Sequence, residues 1–165
     1  MSARIITMAA LLGSIALQPA VAQSKTDFSG NWKVNAEKSD PMGGGGGGGG
    51  GGGMSTAVTT ITQAGGKLTV ETKFGDQTRT SVYNLDGSES TNTSQRGESK
   101  SKAHWDGDAL VIETTSTFNG PNGAVTTTSK EVRTLSADGK VMTVVRTGPG
   151  RDGVETTRKT VYDKQ

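Results

Sequence analysis

The fold is decided by the stretch Phe28-Ser29-Gly30-Asn31-Trp32-Lys33-Val34, which has the pattern of a strand buried on one face. Phe28, Trp32 and Val34 all stand at even positions. Because alternate side chains of a strand point to opposite faces, these three share one face. The stretch therefore predicts a β structure that encloses a large indole ring from its first strand onward.

The residues before this stretch have the pattern of a secretory signal peptide. Arg4 supplies a positive start, residues 5–17 are mostly apolar, and Ala20-Val21-Ala22 is a typical cleavage site. The apolar part is shorter than the roughly 20 residues that span a bilayer. We therefore expect residues 1–22 to be removed on export, and residues 23–165 to form one domain in the periplasm or outside the cell.

The composition argues against several classes of function. The sequence contains no cysteine, so we expect no disulfide framework, no thiolate metal site and no lipid anchored through cysteine. A net charge of +2 gives no indication of a nucleic-acid partner. Apolar residues make up only 30% of the chain, which is low for a protein with a thick core, whereas threonine favours strands. The composition is typical of a thin-walled all-β protein.

Short strand-like segments alternate with turn signals along the rest of the chain, and no segment has helical periodicity. Asp-Gly and Asn-Gly pairs favour tight hairpins because both residues tolerate a positive φ. An antiparallel sheet of this size avoids exposed edges when it closes, so we predict a single up-and-down β-barrel of ten strands. The predicted strands are residues 28–34, 56–63, 67–74, 77–84, 88–94, 98–105, 109–118, 124–135, 140–147 and 154–162.

An unbroken run of eleven glycines, Gly43 to Gly53, separates the first two predicted strands. Polyglycine has no side chains to pack and loses much backbone entropy on ordering, so we expect residues 40–55 to form a flexible loop. A phosphate-binding P-loop would need a Lys-Ser or Lys-Thr pair after the glycines, and Met54 follows them here.

Five motifs of this chain together resemble those of a known superfamily. They are Phe28-x-Gly30-x-Trp32, Leu68-Thr69-Val70-x-Thr72, Asp106-Gly107-Asp108, Val132-Arg133-x-Leu135 and Thr157-Arg158 with Tyr162. The superfamily is that of the calycins, which comprises the lipocalins and fatty-acid-binding proteins, and the fatty-acid-binding branch is the more similar. The chain is also similar to small exported bacterial lipocalin-like proteins of unassigned role. In the fatty-acid-binding branch a helix-turn-helix lid stands where this chain has its glycine run.

The resemblance implies a ligand site inside the barrel, with Arg133 and Arg158 facing an anionic head group such as a carboxylate. Tyr162 would place a hydroxyl near that group, and charge-assisted hydrogen bonds would make the contact specific. On this interpretation the protein carries a small amphipathic or hydrophobic ligand without covalent chemistry. The alternative is that both arginines are solvated strand charges, with Glu131 and Glu155 nearby. The apolar wall of the site would consist of Phe74, Leu110, Ile112 and Phe118.

No pattern indicates a catalytic or metal site. His104 is the only histidine, and Asp106-Gly107-Asp108 lacks the other ligands of a calcium loop. The chain has no Gly-x-Ser-x-Gly motif and no cysteine nucleophile. We therefore expect no enzyme activity, no cofactor and no bound metal.

Two other interpretations stay open. A threonine-rich interior could be too narrow or too polar for a lipid, which would leave a structural or protein-interaction barrel without a small-molecule ligand. An outer-membrane barrel also alternates apolar and polar residues, but it needs aromatic girdles at both interfaces. The whole chain has 2 Trp, 2 Tyr and 3 Phe and ends in Asp163-Lys164-Gln165, so we expect a soluble monomer without membrane insertion.

Overall fold

The described part of the protein is built from antiparallel strands and turns. The computed structural model describes residues 26–41, 57–95, 97–120, 123–150 and 153–165, and these residues form no helix, membrane-spanning or otherwise. The predicted signal peptide, residues 1–22, and most of the predicted loop at residues 40–55 lie outside them. The strands are β1 Gly30–Val34, β2 Val58–Ala64, β3 Lys67–Phe74, β4 Gln77–Asn84, β5 Glu89–Ser94, β6 Gly97–Asp106, β7 Ala109–Gly120, β8 Gly123–Leu135, β9 Val141–Pro149 and β10 Glu155–Lys164.

The ten strands form one sheet in the order β4-β3-β2-β1-β10-β9-β8-β7-β6-β5. Each strand pairs with its neighbour in sequence, except at one seam, and β1 pairs with β10 to join the two ends of the chain. This arrangement confirms the predicted all-β meander, and no predicted strand boundary differs from the observed one by more than two residues. The hairpin signals therefore located the strands correctly.

The barrel is nearly closed, because β4 and β5 are the two edges of the sheet. The side chain of Asn92 on β5 bridges this seam. Its Oδ1 accepts a hydrogen bond from the backbone N–H of Val82 at 2.8 Å, and its Nδ2 donates to the Val82 carbonyl at 3.0 Å. The carboxamide thus occupies the place of a partner strand for one residue of β4, which satisfies backbone groups that an edge would leave unpaired.

The inward face of each strand follows from burial. On β3, Leu68 and Val70 are buried as predicted. On β9 the sequence pattern was ambiguous, since apolar residues stand at both parities. Met142 and Val144 are buried there, whereas Val141 and Val145 are partly exposed. The ladder decides this choice, because Val144 lies opposite the buried Arg133 of β8 and must share its face.

A packed apolar core fills one end of the barrel, around Trp32. Its indole ring is fully buried, and its Nε1 donates a hydrogen bond to the Phe28 carbonyl at 2.9 Å. The Phe28 ring in turn stacks on Trp105, with 6.1 Å between centroids. The Lys164 ammonium lies 5.3 Å from the centre of the Trp32 ring, a cation–π contact. The remaining core side chains include Ile61, Leu68, Ala103, Leu110, Ile112 and Met142.

Candidate functional site

A cavity of about 320 Å³ lies inside the barrel, beyond the packed core. The register explains its position: Val70, Thr72 and Phe74 follow the core residue Leu68 along β3 and share its face. Threonine replaces large apolar side chains at this end, so the interior is not filled. The walls are formed by Val34, Ala57, Thr59, Val70, Thr72, Phe74, Ser81, Tyr83, Val144, Thr160 and Tyr162, with the charged residues described below.

The innermost charged group of the cavity is the guanidinium of Arg133, whose side chain is only 8% exposed. Its Nε donates to the Glu131 Oε1 at 2.6 Å. Both side chains point inward because they stand two residues apart on β8. Burial acts to lower the pKa of Arg133, but the negative charge of Glu131 and the hydrogen bond to it leave that pKa raised overall. Arg133 is therefore charged, and its charge is compensated within the protein.

The phenol of Tyr162 lies beside this ion pair, in a half-buried position. Burial raises the pKa of Tyr162 above the ordinary value of 10.0, Arg133 opposes the shift, and Glu131 adds to it. The cavity therefore keeps this hydroxyl protonated, so that it can donate a hydrogen bond.

The raised pKa of Tyr162 predicts a loss of stability in alkali. A group that holds its proton more tightly when folded stabilises the native state fully below the unfolded pKa, and this contribution falls as pH rises above about 10. We expect the urea midpoint of the wild type to fall more steeply between about pH 9 and about pH 11 than that of Tyr162→Phe, which lacks the ionising group. Parallel pH profiles for the two proteins would contradict the shift.

Three arginines stand around the open end of the cavity. Arg79 of β4, Arg146 of β9 and Arg158 of β10 are exposed, and all three line it. Arg146 and Arg158 are directly opposite each other in the β9–β10 ladder. Among the described residues, no carboxylate lies within 4.0 Å of any of these three guanidinium groups. Arg146 donates instead to the Ser129 hydroxyl at 3.1 Å.

The structure brings together four of the seven residues that the resemblance implied for the site. Arg133, Arg158, Tyr162 and Phe74 all line the cavity. Leu110, Ile112 and Phe118 do not line it. Leu110 and Ile112 belong to the packed core, where they lie opposite Arg133 and Glu131 in the β7–β8 ladder. Phe118, 38% exposed, stands on β7 near the turn to β8.

Arg79, Tyr83 and Arg146 line the cavity and were not among the predicted site residues. The sequence pattern did not show which side chains of β4 and β9 point inward, because apolar residues stand at both even and odd positions of these strands. The ladder registers resolve it: Arg79 lies opposite Thr72, and Arg146 lies opposite Arg158. Counting residues outward from the turn between β9 and β10 would have predicted that Arg146 and Arg158 lie opposite each other.

The described residues contain no group of three or more His, Asp or Glu side chains that could hold a metal ion. His104, the one histidine of the chain, is exposed on β6, and its neighbour Ala103 is buried in the core. His104 therefore lies on the outer face of the barrel, away from the cavity.

No protein-family model and no curated protein sequence matches this chain. Its structure is nevertheless similar to solved barrels of the calycin type. A fatty acid transporter, REP1-NXSQ, superposes with a TM-score of 0.56 at 14% identity, covering 84% of this chain and 96% of the transporter. A secretory abundant heat soluble protein of Ramazzottius varieornatus gives 0.55 at 15% identity, over 86% of this chain and 98% of that one.

Zebrafish ileal bile acid-binding protein, solved with cholic acid, superposes with a TM-score of 0.52 at 15% identity. The match covers 84% of this chain and 98% of the zebrafish protein. The chain therefore has a calycin-type fold, as the sequence motifs predicted. At this level of identity the likeness concerns the fold alone, since function depends on the residues of each site.

Proposed function

We propose that this protein is an exported carrier that binds a small amphipathic or hydrophobic ligand inside its barrel, without covalent chemistry. The observation that carries the proposal is the internal cavity of about 320 Å³, which combines apolar walls with a charged opening. Pockets that bind small molecules have volumes of about 300–1,000 Å³ and are lined mainly by apolar groups with a few convergent polar ones. The fatty acid transporter and the bile acid-binding protein, which share the fold, carry ligands of this chemical class.

The chemistry of the cavity suits a ligand with two unlike ends. Val70, Phe74 and Val144 offer apolar contacts along the wall, whereas the arginines offer charge at the opening. A volume near the lower limit for ligand pockets favours a short chain or a small ring system. Since the rim side chains are exposed, one end of the ligand stays close to water. We therefore expect fast exchange and an affinity in the micromolar range, about −8 kcal/mol.

Native mass spectrometry and calorimetry test the proposal with two matched variants of β4. Ser81 lines the cavity, whereas its neighbour Thr80 is exposed and lies opposite Glu71 on the outer face. A phenylalanine in place of Ser81 should fill the cavity and abolish binding of decanol and decanoate. Thr80→Phe adds the same ring outside the barrel and should bind like the wild type. Equal binding by Ser81→Phe and the wild type would contradict an internal site.

The export part of the proposal rests on residues 1–22 and is tested separately. We expect protein recovered from the producing cell to begin at Gln23 and to be released by osmotic shock without detergent. Intact-mass measurement decides the first point, and fractionation decides the second. A full-length mass in the soluble cytoplasmic fraction would contradict export and leave the cavity proposal untouched.

A structural or protein-interaction barrel without a small ligand is the second candidate. The observation that favours it is the Arg133–Glu131 pair, which satisfies the deepest charge of the cavity from within the chain. On this interpretation the cavity holds only water. Freshly purified protein would then be free of bound small molecules, and neither decanol nor decanoate would bind to the wild type.

A further inference from the structure

The deepest arginine of the cavity already has a carboxylate partner. The Arg133 guanidinium is buried, and Glu131 already accepts its hydrogen bond at 2.6 Å. Because Glu131 already compensates the charge of Arg133, an anion gains less beside Arg133 than beside a guanidinium that has no carboxylate partner.

The rim of the cavity has the opposite balance of charge. Arg79, Arg146, Arg158 and Lys159 line the opening. Among the described residues, two carboxylates line the cavity: Asp40, and Glu131, which is paired with Arg133 and lies opposite Arg146. Asp40 Oδ2 accepts a hydrogen bond from the backbone N–H of Lys159 at 2.7 Å. The described lining therefore carries five positive and two negative side chains, and the guanidinium groups of Arg79, Arg146 and Arg158 have no carboxylate of the described residues within 4.0 Å.

Arg146 lies opposite Glu131 in the β8–β9 ladder and opposite Arg158 in the β9–β10 ladder, so one of its two neighbours repels it. Residues directly opposite in an antiparallel ladder have Cβ atoms about 4.5–5.5 Å apart, and like charges there destabilise the sheet. An anion between the two guanidinium groups removes the repulsion and replaces it with attraction. We therefore expect a bound anion to stabilise the folded protein.

The chemistry of arginine indicates which anion fits. Each guanidinium presents a planar fork that binds phosphate oxygens in pairs, and a phosphate monoester carries a charge of about −1.5 to −2 at neutral pH. Three forks from three strands offer more donors than the two oxygens of a carboxylate can use. A tetrahedral head group has three free oxygens and twice the charge.

We propose that Arg79, Arg146 and Arg158 form a site for a phosphate monoester head group at the rim, with the attached apolar chain inside the cavity. The inference rests on the proposed carrier function and names its ligand class, an alkyl or aryl phosphate in preference to a fatty acid. It differs from the sequence prediction in one point, since Arg158 keeps its place beside the anionic end whereas Arg133 does not.

Isothermal titration calorimetry with four probes tests this site on the purified protein: decyl phosphate, decanoate, decanol and inorganic phosphate. We expect decyl phosphate to bind at least ten-fold more tightly than decanoate, and its affinity to fall as salt is raised. In the double variant Arg146→Gln/Arg158→Gln the affinity for decyl phosphate should fall at least ten-fold, to the level of decanoate. The binding of decanol should be unchanged.

The control variant is Lys73→Gln, which removes an exposed cation from the outer face of β3. It should retain the preference for decyl phosphate in full. Heat denaturation of the double variant without ligand checks that it stays folded, so that a lost preference is not a loss of structure. A stable double variant with unchanged preference would overturn the assignment of the rim arginines.

The four probes separate this inference from the carrier proposal. Binding of decanol together with equal binding of decyl phosphate and decanoate would overturn the phosphate site and leave the carrier function standing. Inorganic phosphate that binds as tightly as decyl phosphate would overturn the role of the alkyl chain. If inorganic phosphate alone binds, and the double variant loses it, the anion site stands while the carrier function fails.

Discussion

Replacing Glu131 with leucine should lower the free energy of unfolding by about 3 kcal/mol, one of the two largest effects of any single substitution we predict. The Arg133 side chain is 8% exposed, and Glu131 is its acceptor at 2.6 Å. Removal of the carboxylate leaves a buried positive charge without compensation, and the protein cannot discharge it because arginine does not lose its proton. Denaturation in urea, followed by circular dichroism, measures the loss.

Two further variants of the Arg133–Glu131 pair serve as controls. Arg133→Met should cost less than Glu131→Leu, because the Glu131 side chain is 22% exposed and its carboxylate can turn towards water. The double variant Glu131→Leu/Arg133→Met should recover most of the stability, since an apolar pair of similar volume replaces the ion pair. Additive losses in the double variant would contradict the coupling between the two residues.

Replacing Trp32 with alanine should cost about 3–5 kcal/mol, because this is the largest side chain among those that are fully buried. The substitution removes the indole ring around which the apolar core is packed. It also leaves the Phe28 carbonyl without the hydrogen bond from Nε1, and the Lys164 ammonium without its cation–π contact. Equilibrium unfolding in urea is the measurement.

Phe118→Ala is the control, since it also removes an aromatic ring but from a position that is 38% exposed. We expect a loss of about 1 kcal/mol or less. Trp32→Phe should fall between the two, because it keeps part of the buried volume. If Trp32→Ala unfolds under all conditions, the comparison of Trp32→Phe with Phe118→Ala still tests the prediction. Equal losses there would contradict the role of Trp32.

The strands and their order could be predicted from the sequence because they depend on local signals. Hairpin pairs such as Asp106-Gly107 need a positive φ that glycine adopts freely, and Gly107 has a φ of 59°. Alternation of apolar and polar residues fixed the face of β3, where Leu68 and Val70 are buried. The even spacing of Phe28 and Trp32 likewise predicted their burial, since a period of two is a property of any strand.

The sequence left undetermined whatever depends on which strands lie side by side and in which register. Leu110, Ile112 and Phe118 share a parity, yet position along the strand places the first two in the core and the third near an exposed turn. The Asn92 bridge depends on a seam between β4 and β5 that no local pattern marks. A side chain acts as a strand partner only where tertiary structure holds two edges too far apart for backbone pairing.

The charged residues of the cavity show most clearly which contacts the sequence predicts and which depend on strand pairing. Parity alone places Glu131 and Arg133 on one face of β8, and so predicts that they are neighbours. Whether that face is buried, and whether Arg146 also stands opposite Glu131, follows only from the tertiary structure. The sequence by itself determines which residues of a strand share a face, because the alternation of side-chain direction is a local property of the strand. Tertiary structure decides which charges of distant segments meet, because each such contact depends on how the strands pair and on the depth at which the barrel holds them.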